Sequence, residues 1–125
     1  MGACASDGTA QTFTPGMTVV GTNGQIKVSL ESISPTPLGK EPSEWKLRVT
    51  DASDHPLDGM TVVPKGYMPV HKHGTSITPV VTAMGDGSYD VTSLVLFMPG
   101  LWQVTIAVSG PSVADSAVFS FCITG

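Results

Sequence analysis

Along most of the chain, apolar and polar residues alternate with a period of two. Between residues 25 and 33, Ile26, Val28 and Leu30 fall on one side, while Lys27, Ser29 and Glu31 fall on the other. Successive side chains of a strand point to opposite faces, so this rhythm predicts a strand with one buried face. The same pattern runs through residues 45–50, with Trp45, Leu47 and Val49 inward. It returns in residues 101–109, with Trp102, Val104, Ile106 and Val108 inward. Residues 115–123 repeat it once more, with Ala117, Phe119, Phe121 and Ile123 inward. Further strands are predicted over residues 60–64, 76–84 and 88–97, and Met60 and Met84 are read as core residues of two of them. Pro79 implies an edge position or a bulge for its strand.

Turn chemistry separates these segments. Residues 34–44 hold Pro35, Pro37 and Pro42 and read as a loop. The Asp-rich stretch 51–59 reads as a turn, and residues 65–75 as a second loop. Gly85-Asp86-Gly87 is a tight hairpin signal, and Pro99-Gly100 and Gly110-Pro111 mark two more turns. About seven strands at this spacing predict an all-β, immunoglobulin-like β-sandwich. Residues 1–16 read as an N-terminal arm and residues 17–125 as a single domain.

Composition narrows the class further. Only 13% of the 125 residues are charged, against roughly 25% in an average domain. With 41% hydrophobic residues, 14 Gly and 10 Pro, neither a helical bundle nor a disordered chain fits. The net charge is −4, and the six Lys and Arg residues are scattered. No basic patch exists to neutralise phosphates, so nucleic acid is excluded as an expected partner, and an anionic membrane surface is disfavoured. No apolar run approaches the ~18 residues of a transmembrane helix.

The two cysteines, Cys4 and Cys122, lie near the chain ends. Three readings stand: a Cys4–Cys122 disulfide, a lipidated Cys4, or free thiols. Terminal strands of a sandwich often neighbour each other, and Cys122 points away from the core side of its strand, which favours the bridge. A bridge would close a loop of nearly the whole chain, stabilising by about 4 kcal/mol in the chain-entropy model, and it implies an oxidising compartment. No signal peptide is visible, but Gly2-Ala3-Cys4 resembles the end of a bacterial lipobox.

Candidate chemistry gathers in Met68-Pro69-Val70-His71-Lys72-His73-Gly74. In an extended segment, residues two apart point to one side, so His71 and His73 can aim two imidazoles at one ion, with Lys72 directed away. Met68 adds a thioether, and Met98 begins a second Met-Pro pair. Imidazole suits copper and zinc, and thioether favours Cu(I) over hard ions. A closed Cys/His zinc set and an oxygen-rich calcium loop are both missing. The expected metal is therefore copper, as Cu(I) or Cu(II), with zinc as the alternative. The candidate ligands are His71, His73, Met68 and Met98. His55, in the Asp-rich turn, is read as an ordinary exposed residue. A lone His-x-His is weakly specific, so a structural or interaction module without metal is the second reading. No nucleophile elbow, phosphate loop or His-Glu-x-x-His is present, so no enzyme is expected.

From Leu57 to Val108 the chain resembles the YtkA-like domain, a small immunoglobulin-like module of bacterial extracytoplasmic proteins. The resemblance rests on Met68-Pro69, His71-Lys72-His73-Gly74, Thr78-Pro79, Gly87-Ser88-Tyr89 and Met98-Pro99-Gly100-Leu101-Trp102 in that order. It implies a periplasmic or lipid-anchored protein and metal binding at the same loop, and it does not imply an enzyme. For the interaction-module reading, the expected partner is an envelope protein.

Overall fold

The computed structural model describes residues 10–35, 40–75 and 77–123. Among these, nine strands form: β1 Met17–Val20, β2 Ile26–Ser34, β3 Ser43–Asp51, β4 Thr61–Met68, β5 His73–Gly74, β6 Val80–Gly85, β7 Ser88–Leu94, β8 Gly100–Ser109 and β9 Ala114–Ile123. They build two antiparallel sheets, one in the order β1-β2-β3-β7-β6 and the other β5-β4-β8-β9. The chain is an all-β sandwich, as the alternation predicts.

The inward rows meet between the sheets. Ile26, Val28, Leu30, Trp45, Leu47, Val49, Trp102, Val104, Ile106, Phe119 and Ile123 are all buried. Trp45 meets Phe121 edge to face across the sandwich, with ring centres 5.7 Å apart, a favoured aromatic geometry. One detail explains why Ile33 is buried although it breaks the even-numbered row. The β2–β3 register slips between Leu30 and Ser32. The extra residue reverses which parity faces inward, and Ile33 returns to the core.

Polar groups inside the sandwich are paired. The Trp45 indole donates to Ser43 Oγ at 3.1 Å, and Ser43 Oγ donates to the Leu94 carbonyl at 2.8 Å. Tyr89 donates its hydroxyl to the Leu57 carbonyl at 2.6 Å and accepts from the Met60 amide at 3.1 Å. That pair anchors the crossover from β3 to β4.

Several boundaries differ from expectation. Strand β4 continues through residues 65–68, where a loop is expected. Its partner β8 supplies the ladder, with Gly66 opposite Val104 and Tyr67 opposite Gln103. Lys65 and Gly66 look like loop residues in isolation, but the glycine faces inward beneath Trp102, where its missing Cβ leaves room for the indole ring. Strand β7 stops at Leu94, and β6 begins only after Pro79. Met84 is not core: it is 58% exposed, because β6 is an edge strand that turns little of its surface inward. Met60 is half-buried and packs against the core. The tight turn at Asp86-Gly87 forms with positive φ at both residues, the requirement of a type I′ hairpin.

Gln11 pairs with Phe121 of β9 as an isolated parallel bridge, so the chain is tied to β9 at Gln11 before β1 begins. Cys122, opposite Leu101, lies on the outer face of β9, as its parity predicts. Cys4 lies outside the described residues, and the expected bridge with it.

At the other end of the sandwich, Asp115 clamps the β1–β2 turn onto the start of β9. Its buried carboxylate accepts the amides of Asn23, Gln25 and Ser116, each at 2.8 Å. A Cβ on Gly21 would overlap that carboxylate, so the turn needs glycine there. Burial works against the charged form, but the amide donors of Asn23, Gln25, Ser116 and Ile26 outweigh it and hold the carboxyl below its ordinary 3.8. Because the folded value is depressed, the clamp stabilises the fold above pH ~4 and is lost as pH falls through the lower folded value. Replacing Asp115 by Asn turns an amino group toward these donors and is expected to cost about 2 kcal/mol. Urea unfolding at pH 7 and pH 3 measures this, and the penalty is expected to shrink at the lower pH.

A histidine and methionine hairpin at one end of the sandwich

The candidate residues stand where β4 leaves its sheet and returns as β5. Met68 and His73 face each other across this short ladder, and residues 69–72 make the loop between them. The loop closes through the Lys72 amide, which donates to the Met68 carbonyl at 2.7 Å. Lys72 adopts a left-handed conformation, φ 57°.

This differs from the extended segment expected between the two histidines. His71 belongs to the turn and His73 to the strand, and the left-handed residue between them reverses the chain. The two rings nevertheless lie close together. The imidazole centres of His71 and His73 are 5.8 Å apart, with their planes inclined at 39°. A metal bond of ~2 Å to a nitrogen of each ring separates the two centres by roughly 5–6.5 Å, so the observed spacing suits a shared ion. Nδ1 of His73 lies 3.2 Å from the Gly74 carbonyl. A carbonyl only accepts, so Nδ1 is the donor of this bond, and in the neutral ring Nε2 is the nitrogen with the free lone pair.

Two aromatic groups, Phe97 and Trp102, form the wall behind these rings. His73 stacks on Phe97 at 5.7 Å and meets the edge of Trp102 at 6.5 Å. Phe97 and Trp102 touch at 5.6 Å. Trp102 is fully buried, and its indole donates to the Met98 carbonyl at 2.9 Å. That bond fixes the β7–β8 connection beside the hairpin.

Gly100 sits where the two segments meet. Its φ is +137°, and a Cβ there would stand 2.6 Å from Cε of Met68 and 3.9 Å from Nε2 of His71. The thioether methyl of Met68 and the imidazole of His71 therefore converge on the space that this glycine leaves open. Met68 itself is completely buried, whereas His71 is exposed and His73 half-buried. Of the four candidate ligands, the fold gathers Met68, His71 and His73. Met98 contributes its carbonyl to the Trp102 indole and packs its side chain against the core.

Phe97 and Gly100 are the members of this cluster that spacing arguments overlook. The Met98-Pro99-Gly100 turn is the signal that could have pointed to Gly100. Nothing in the alternation singles out Phe97, because its partner His73 belongs to a different hairpin and is distant in sequence. His55 is at the opposite end of β4, exposed beside Asp51 at 3.2 Å, and takes no part. Among the described residues no group of three or more His, Cys, Asp or Glu comes together as a metal site.

The molecule is an all-β sandwich that carries a His-x-His hairpin against a Met-Pro-Gly-x-Trp turn. The family model described as YtkA-like matches residues 22–107. That match covers well over half of the chain and includes the whole cluster, and the chain belongs to the YtkA-like family. No curated protein and no solved structure matches it.

Gly100→Ala is expected to destabilise the protein by about 2 kcal/mol or more, from backbone strain together with displacement of Met68. Chemical denaturation measures the loss, and a change in Trp102 fluorescence should accompany it.

Proposed function

We propose that this protein is an extracytoplasmic copper-binding module that captures and releases the ion reversibly, and that it is not an enzyme. His71 and His73 are the primary ligands, with Met68 as the thioether candidate; Met98, packed against the core, is left out. The observation that carries this reading is the 5.8 Å spacing of the two imidazoles beside the Met68 thioether. The ion is cargo, and the chain's task is to position the donors. His73 is held by Phe97 and by the Gly74 carbonyl, which leaves Nε2 as the nitrogen to ligate the ion. Exposed His71 stands at the mouth, where an ion is first met. Copper accepts such a mixture of imidazole and thioether, and zinc is the competing metal.

The experiment is a titration of purified protein with Cu(I) and Cu(II), compared with the His71→Ala/His73→Ala double variant. Wild type is expected to bind copper at micromolar affinity or tighter, and the variant to lose it. Unchanged binding in the variant would show the ligand assignment to be wrong.

A second reading, docking of an envelope protein, is favoured by one observation. Tyr67, Val70 and Phe97 are 43%, 73% and 43% exposed around the same hairpin. Exposed apolar residues grouped in this way mark contact surfaces.

An extracytoplasmic location also predicts the Cys4–Cys122 bridge. Its support is the docking of Gln11 next to Cys122 on β9. Thiol labelling of the unfolded protein should modify neither cysteine without reductant and both with it.

A further inference from the structure

Met68 and Gly100 bear on which copper ion the hairpin takes, a question that rests on the copper reading above. Every donor gathered here is neutral. Two imidazoles and one thioether supply no negative charge, and among the described residues no cluster brings a carboxylate or thiolate to complete a set. The charged residue nearest in sequence is Lys72, between the histidines.

Burial acts in the same direction. The Met68 side chain is fully enclosed, and its terminal methyl fills the space over Gly100 that Nε2 of His71 also approaches. The wall is apolar, built from Phe97 and Trp102. An ion that reaches Met68 must shed water against that wall, and a divalent ion loses far more hydration energy than a monovalent one. Zinc requires four donors in a tetrahedron, or three and a water. Thioether sulfur discriminates further, since soft ligands select Cu(I).

We infer that the site is selective for Cu(I), held by His71, His73 and the Met68 thioether, with Gly100 leaving room for the Met68 side chain beside His71. Met68 is the residue that sets the preference for Cu(I) over Cu(II) and Zn(II). Gly100 is a positioning residue, keeping the gap between Met68 and His71 free of a side chain.

The test compares Cu(I), Cu(II) and Zn(II) affinities of the wild type with Met68→Leu, a change that preserves core volume and is tolerated in packing. Met84→Leu serves as the control, because Met84 is exposed on β6 of the other sheet. Cu(I) should bind at one per chain and more tightly than either divalent ion. In Met68→Leu, Cu(I) affinity should fall by about tenfold or more, with Zn(II) and Cu(II) affinities little changed. In Met84→Leu, all three should match wild type. X-ray absorption of the Cu(I) protein should show a sulfur neighbour that Met68→Leu removes. If Cu(I) binding depends on the histidines but survives Met68→Leu unchanged, the thioether assignment is overturned while the copper reading stands. Tighter binding of Zn(II) or Cu(II) than of Cu(I) would overturn the selectivity in the same way. If no copper binds in either oxidation state, both are overturned.

Discussion

Face-to-face packing of the inward rows is the constraint on which everything else rests. Each sheet presents alternate residues to the other, so a slip of one residue would send a whole row to solvent. Trp45 against Phe121 and the stacked pair Phe119 and Phe121 occupy this layer. The parity is so strictly kept that β2 needs a bulge near Glu31 to bring both Leu30 and Ile33 inside. Buried polar groups are matched within the same frame, from the Trp45–Ser43 bond to the Asp115 clamp. Among the described residues no buried side-chain polar atom lacks a partner, as expected where an unpaired group is costly.

The histidine hairpin is a consequence of that frame. Trp102 belongs to the inward row of β8, and its ring fills the space over Gly66 while its indole holds the Met98 carbonyl. The same ring then forms the side wall against which His73 rests. A core residue and a site residue are thus one side chain. Met68 shows the same double membership, buried as the last inward residue of β4 and directed at the gap over Gly100. A site built from the rim of a packed core is held by the core's rigidity, which lets a two-residue strand such as β5 orient an imidazole.

Strands with a clear period of two, such as β3, β8 and β9, are legible from composition and alternation alone. Where the signal is weak, the partner decides. Residues 65–68 are a strand because β8 offers a matching ladder, and a lysine and a glycine give no local hint of that. Met84 departs from its expected core position for the opposite reason. It sits in a strand of good propensity, but β6 ends the sheet and has little to pack against. Propensity describes a pleated, half-buried surface, and only the neighbours determine whether burial is completed.

By itself, the sequence determined the fold class, the parity of the main strands, the outward direction of Cys122 and the placing of two histidines two residues apart beside Met68. Those properties follow from local spacing, which a linear chain carries in full. The tertiary structure alone decided that Met68 joins His71 across Gly100 and that Phe97 backs His73. It also decided that Met98 is turned to the core and to Trp102. The β7–β8 turn and the β4–β5 hairpin are separated by more than twenty residues of chain. They meet because two sheets close on one layer of side chains, and no periodicity within either segment encodes that meeting.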